Sequence, residues 1–437
     1  MNDRKYLKPN FLLFSLLTFV SNGLIYIIQF FINKEKVDYF LCTSIKTYSY
    51  SFFSNDLELI YPESCDLKPY ALGIVNLNSY YGLTEFVYQD RPLFVVYIAI
   101  FFNLIKAFSF SSLSTFTILK ISFFLGQLFL TSLICIYLLK VFNLANLDFG
   151  NKYLILPLLV SVSPLFKWHI FESTSMTFTF LIFIIGIYIF INNKNINLPF
   201  YFFCVGLLFL IHRSALLILV FFVVNSIFDK SMSKEKILST LYFLIPVMFY
   251  YISLFATSGF YDHQAEDWRQ FIWVLDFLQG KETLQSGYFC QTPKLAIKCY
   301  TNDLIMLTKY LSIPAAACLI YILLSFKNFN QGLTKIVSSA IIFTLIINLF
   351  WLFIGWYPPI RFSYYGFGNL IIFISILIFF NLKNIISQSL FVTGYFSYFI
   401  LLNHWNSPLV IEPNQLLRIS IFLFVGAIFA EYSSRDN

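Results

Sequence analysis

The sequence predicts an all-α, polytopic membrane protein of about 11–12 transmembrane helices, with one further helix lying along the membrane surface in the first outer loop. Three observations predict it. The 437 residues are 59% hydrophobic and only 12% charged, more apolar surface than a soluble fold of this length could hide. Apolar runs long enough to cross a bilayer, about 18 residues or more, recur along the whole chain. The short connections that alternate with them carry lysine, as connections held on the cytoplasmic side do. The net charge of +7 comes mostly from those lysines, so nucleic acid is a poor partner for it. One transmembrane domain is expected over residues 1–437, with outer loops at 33–114 and 257–302 and no separate soluble domain.

Arg4, Lys5 and Lys8 precede the first apolar run, Phe11 to Ile32, and place the N-terminus in the cytoplasm. That run is too long for a signal-peptide core and should stay as the first span. Asn33 to Gln89 then lie outside as a long polar loop with acids at Asp38, Asp56 and Asp66 among others. Thr84 to Ser114 decides the rest: Asp90-Arg91-Pro92 runs straight into the nearly uncharged stretch Leu93 to Phe110. If that stretch lies on the outer surface, Ile121 to Leu139 heads inward, and Lys140 and Lys152 are cytoplasmic. Tyr153 to Phe166 returns outward, Glu172 sits at the outer mouth, and Ser173 to Ile191 goes back to Lys194. Pro199 to Ile211 and Ala215 to Phe228 then form a pair whose outer tip is His212-Arg213-Ser214. Ile237 to Phe255, Leu304 to Phe326, Ile336 to Trp356, Arg361 to Phe380, Ile385 to Leu402 and Leu416 to Ala430 complete the set. Lys327, Lys335, Lys383 and the C-terminus fall in the cytoplasm.

A competing topology makes Leu93 to Phe110 a span and Pro199 to Phe228 a single helix. Parity is restored after residue 229, so the two differ in where they put Lys140, Lys152 and Lys194. The competitor also buries His212 and Arg213 near the bilayer centre, which is costly. The surface-helix topology is preferred, although the two halves of Pro199 to Phe228 are short for full spans and the polar stripe on the surface helix is thin. Cys135, Cys204 and Cys318 lie inside apolar runs as packing residues. Cys42 would pair with Cys65, and Cys290 with Cys299, if both outer loops face an oxidising compartment.

The preferred topology gathers the unusual polar residues on one face: Asp38, Asp90 and Arg91, His169 and Glu172, His212 and Arg213, and Arg361 after Trp356-Tyr357-Pro358-Pro359. Arginines at a membrane–water boundary suit a phosphate, because the planar guanidinium offers paired donors. An arginine at that depth also serves as an interfacial anchor, a reading that fits Arg361 and Arg91 better than Arg213, whose flanks are apolar on both sides.

This layout resembles the GT-C class of integral membrane glycosyltransferases, including the aminoarabinose transferases and protein O-mannosyltransferases. The residues that carry the resemblance are V-D-Y-F-L around Asp38, Y-Q-D-R-P-L-F, F-E-S-T-S-M-T-F, G-L-L-F-L-I-H-R-S-A-L-L-I-L and W-Y-P-P-I-R-F-S-Y-Y. It covers Phe11 to Phe228 well and the rest loosely, and it rests on order and spacing. Two departures stand: no second carboxylate follows Asp38, and Asp38 is far from Arg91-Pro92, which keeps Asp56 and Asp66 open as the first-loop acid. The resemblance implies transfer of a sugar from a polyprenyl-phosphate donor to a glycan, lipid or protein acceptor, at the outer face of a bacterial inner (plasma) membrane. Asp38 would be the base and Glu172 a second carboxylate, and Arg91, Arg213 and Arg361 would hold the lipid phosphate. Asp90, His169 and His212 would support them. No ligand set demands a metal or other cofactor. A Wzy-like polysaccharide polymerase or ligase, or less readily a secondary transporter, are the alternatives.

Overall fold

The computed structural model describes residues 10–32, 67–75, 77, 91–108, 113–147, 149–167, 175–228, 233–258, 314–325, 329–354, 366–401 and 415–433. Every regular element among them is helical. Among the described residues, four helical stretches are long and apolar enough to cross a membrane, Phe11–Ile28, Thr115–Leu144, Lys234–Ser253 and Gln331–Leu349, and eight shorter apolar helices accompany them.

Helix α1 (Phe11–Ile32) shows why the surrounding medium must be apolar. Its Leu12, Leu16, Phe19, Val20, Leu24 and Ile27 are exposed, while Thr18, Ser21 and Asn22 are buried. A water-soluble helix turns its apolar stripe inward. Here the apolar stripe faces out, as it does toward lipid, and the polar residues find cover inside.

The remaining helices are α2 (Leu67–Val75), α3 (Pro92–Phe108), α4 (Thr115–Leu144), α5 (Leu156–Val162), α6 (Pro164–Lys167), α7 (Phe178–Ile191), α8 (Leu198–Phe209) and α9 (Leu216–Phe228). They are followed by α10 (Lys234–Leu241), α11 (Leu244–Ser258), α12 (Pro314–Ser325), α13 (Gln331–Ile354), α14 (Gly368–Asn381), α15 (Ile385–Leu401) and α16 (Gln415–Ser433). Asparagine starts several of them. Asn10, Asn197, Asn330 and Asn384 accept from the backbone N–H groups of Leu13, Phe200, Leu333 and Ile386, each satisfying a donor that the first turn leaves orphaned. Helix α4 stops at Asn146, which takes the left-handed conformation (φ 54°). Leu147 N–H then reaches back to Phe142 O and Asn146 N–H to Asn143 O, a Schellman closure.

The chain divides into two compact units. The first comprises Met1–Leu17, Cys135–Pro164 and Ala265–Asn437. Its centre is α14, where every residue from Ile371 to Phe380 is buried; a helix apolar on all sides has nowhere else to go. Phe142 packs on Phe373 and Phe380 at 5.7 and 5.4 Å between ring centroids. Helices α15 and α16 approach closely at Gly394, where an added Cβ would lie 2.4 Å from the backbone nitrogen of Phe424. One end of this unit is polar. Lys152 Nζ donates to Phe380 O at 3.1 Å and also to Leu382 O, closing the C-terminus of α14. Asn330 Nδ2 donates to Ala145 O at 2.8 Å. The buried Glu431 carboxylate accepts from the backbone N–H groups of Lys383 and Asn384 ahead of α15, at 3.0–3.1 Å.

The second unit comprises Thr18–Ile134 and Leu165–Gln264. Its buried helix is α7, with every residue from Phe178 to Ile187 out of contact with the surroundings. Helix α9 packs on α7, α8 packs on α10 and α11, and α2 packs on α3. The chain between Leu198 and Phe228 is not one helix. Helix α8 ends at Phe209, a 3₁₀ turn occupies Arg213–Ala215, and α9 begins at Leu216.

Candidate functional site: an arginine where several helix ends meet

Arg91 stands immediately before Pro92, which opens α3. Proline suits that first position, since its fixed φ matches the helix and its missing N–H would have had no partner there. The Arg91 carbonyl accepts from Phe94 N–H at 3.1 Å, so the backbone of the arginine is fixed by the helix it starts. Its side chain is fixed by two other elements. Nη1 donates to Tyr70 Oη of α2 at 2.8 Å and to Ser175 Oγ, in the turn before α7, at 2.7 Å.

An aromatic stack beneath the arginine holds those elements together. The Tyr70 ring meets Phe94 edge-on at 5.0 Å, and Phe94 meets Phe178 at 6.3 Å. Tyr97, one turn further along α3, also meets Phe178, at 5.4 Å. Edge-to-face pairs of this kind each contribute about 0.5–1.5 kcal/mol beyond area burial. Tyr70 and Ser175 are both buried. The two hydroxyls carry no charge, and their bonds orient the guanidinium.

A fourth segment joins at the backbone. Leu93 N–H donates to Leu210 O at 3.2 Å, linking the start of α3 to the end of α8. Two residues later comes the sequence-predicted tip. His212 is buried, and its Nδ1 accepts Ser214 N–H at 3.2 Å and lies 2.8 Å from Ser214 Oγ. Accepting a backbone N–H requires a lone pair on Nδ1, so the ring in this state is neutral with its hydrogen on Nε2. His212 is thus a capping residue for the Arg213–Ala215 turn, and it shapes the turn that carries the half-buried Arg213.

Of the residues singled out in the sequence, the structure brings Arg91 and the His212-Arg213 turn to one place through that Leu93–Leu210 bond. Asp38, Asp56, Asp66, Asp90, His169, Glu172, Arg361 and the four outer-loop cysteines lie outside the described residues. Ser175 and Tyr70 escaped the sequence reading. Ser175 stands in the quoted F-E-S-T-S run, where the acid drew the attention, and nothing in the local pattern marks Tyr70. Two buried lysines were also passed over. Lys120 is fully buried near the start of α4, its Nζ 5.2 Å from the Phe116 ring, and Lys167 is buried at the end of α6. A lysine at the head of an apolar run was the available signal for Lys120. Among the described residues no three His, Cys, Asp or Glu side chains gather as metal ligands would.

Fold and surface together define an α-helical membrane protein with a cation held by neutral hydroxyls where several helix ends meet. Compared with known proteins, the chain matches no family model, no curated protein and no solved structure.

Proposed function

We propose that the chain is a membrane glycosyltransferase of the GT-C type. It would move a sugar from a polyprenyl-phosphate donor to an acceptor at the outer face of the membrane. The observation that carries this reading is the Arg91 cluster. Three sequence segments tied to the resemblance, around Arg91, Ser175 and Leu210, meet there. Departure of a lipid phosphate develops negative charge, which pre-oriented cations stabilise. Arg91 and Arg213 supply that charge in this reading, with Arg361. Asp38 serves as the base that takes the acceptor proton, and Glu172 as the second carboxylate.

The polar end of the first unit supports the orientation this chemistry needs. Lys152 reaches the α14–α15 connection, and Asn330 reaches Ala145. The connection after α4 therefore shares one end of its unit with the connections before α13 and after α14. Surface-helix topology puts all of these in the cytoplasm. In the competing topology they would be split across the membrane. The interruption at 210–215 favours the same choice, since the competitor needs Pro199 to Phe228 as one helix. In this arrangement α3 lies at the outer surface and both termini are cytoplasmic.

The test is transfer from a polyprenyl-phosphate sugar by the full chain in lipid. Asp38→Asn removes the charge that a base requires, and activity should fall by about two to four orders of magnitude. Full activity in Asp38→Asn with loss in Asp56→Asn or Asp66→Asn would move the base and keep the class. Transfer indifferent to all of these and to Glu172→Gln would sink the glycosyltransferase reading.

A further inference from the structure

Helix α3 is packed along one half and bare along the other. As far as Ala99 it turns Phe94, Val95, Ile98 and Ala99 toward the protein, and beyond that only Phe102 is buried. Ile100, Leu104 and Phe108 are 54, 52 and 76% exposed, and their four-residue spacing makes them one stripe. Asn103 and Lys106 are exposed as well, but they stand off that stripe. Lys106 leaves the helix from the opposite side, its Nζ 5.9 Å from the centre of the Phe102 ring. The far half of α3 is therefore two-sided, apolar away from the protein and polar on the side it shares with the packed residues.

The place where α3 meets its neighbour indicates what covers the stripe. Tyr97 Oη donates to Gly126 O at 2.5 Å, and a Cβ on Gly126 would lie 2.6 Å from Ile98 Cδ1, so α3 and α4 touch there. Helix α4 has 30 residues and is about 45 Å long, against about 30 Å of hydrocarbon in a bilayer. Held upright, it overhangs the hydrocarbon by about ten residues, and the contact at Gly126 falls close to that level when the overhang is at the Thr115 end.

We infer that the far half of α3 is seated on lipid, with Ile100, Leu104 and Phe108 in the outer leaflet just below its headgroups and Lys106 turned toward water. The inference rests on the outer-surface placement of α3 in the proposed function, and adds the partner of its bare stripe. A two-sided helix at an interface buries its apolar face in the upper acyl region and lies in the membrane plane. Three large apolar side chains out of water hold α3 level. Arg91 stands at the head of the same helix, so this seat also sets the depth at which the candidate site meets the membrane.

A fluorescent amino acid placed singly at position 100, 104, 106 or 108 tests the seat. All four positions are exposed, so the probe displaces no packing. The full chain is reconstituted in nanodiscs whose lipids carry a nitroxide at the headgroup, high on the acyl chain or low on it. Probes at 100, 104 and 108 should be quenched most by the high acyl nitroxide and report one depth, while the probe at 106 answers more to iodide in the water. Depths that change steadily from 100 to 108, by about 12 Å for eight residues of helix, would mean that α3 crosses the bilayer and would overturn the inference. Absence of lipid quenching at all three would mean that another segment of the chain, or a second copy, covers the stripe, and overturns it equally. Depth is read without substrate, so the two readings fail separately. Equal depths in a chain without transfer activity keep the lipid seat and refute the proposed function, and a steady gradient in an active chain does the reverse.

Discussion

Two polar clusters in this apolar chain look alike in sequence and differ in what they satisfy. In the first unit, Lys152, Asn330 and Glu431 all bind backbone groups: carbonyls at the end of α14, Ala145 O, and N–H groups ahead of α15. Each corrects a deficit that helix ends create, since the last four carbonyls and first four N–H groups of a helix have no partner within it. In the second unit, Arg91 binds two side-chain hydroxyls from separate elements, and no backbone deficit is met by them. Charge spent on the backbone is charge spent on the fold. Contacts to side chains of separate elements fix where the cation stands. The contrast sorts boundary cations better than position or residue type does, because Lys152 and Arg91 both stand beside helix ends.

Exchanging Arg91 should have the largest effect if the proposed function holds. Arg91→Lys is expected to lower kcat/KM for the donor about 10²-fold, through lost paired-donor geometry, while the thermal midpoint in detergent stays within a degree or two of wild type. A midpoint that falls with the activity would erase the distinction between the clusters.

The opposite result is expected for Glu431→Gln. The carboxylate makes charge-assisted bonds to two backbone N–H groups at a helix start, and its loss should cost about 1.5–3 kcal/mol of stability with donor kinetics unchanged. Thermal unfolding of the purified chain, read beside the transfer assay, decides it.

Gly394→Ala sharpens the structural side further. Its Cβ would sit 2.4 Å from a backbone atom that cannot swing away, so α15 and α16 must separate, at about 1–3 kcal/mol. Gly206, whose added Cβ would lie 2.4 Å from Phe243 O, should respond in the same direction by loosening α8 from the 243–246 stretch. Equal stability of either variant would mean that these helices are less tightly apposed than described.

Lys152→Met is the mildest change. It removes the cap on α14 and keeps the stem, for a loss of about 1 kcal/mol. A reporter fused after Lys140 reads the accompanying topology and should behave as cytoplasmic; export of that reporter would break the orientation on which the outer-face site depends.

Much of the helical layout was legible before any coordinates. Phe11 to Ile32 matches α1 residue for residue, and Ile385 to Leu402 matches α15 within one residue. Both are long apolar runs with polar ends, where composition alone separates helix from connection. The break at 210–215 was legible from His212-Arg213-Ser214, polar residues with apolar flanks. The surface-helix stretch, read as Leu93 to Phe110, is helical over Pro92–Phe108. Tyr153 to Phe166 was read as one segment and is a 3₁₀ turn, α5 and α6 in succession, with Ser163 extended between the last two. Pro157 and Pro164 were the local cue. The contact of Arg91 with Tyr70 and Ser175 was not legible, because these residues are 21 and 84 positions from it, and periodicity carries no information on which distant side chains share a hydrogen bond. Asp38, Glu172 and Arg361 lie outside the described residues.

The bond from Leu93 N–H to Leu210 O joins the amino end of α3 to the carboxyl end of α8. At that bond the partial positive charge at the start of one helix meets the partial negative charge that ends the other. A helix start is ordinarily a ready anion site, and here one of its N–H groups is already taken by a carbonyl. If the proposed donor phosphate binds at this junction, its attraction should weaken as salt is added.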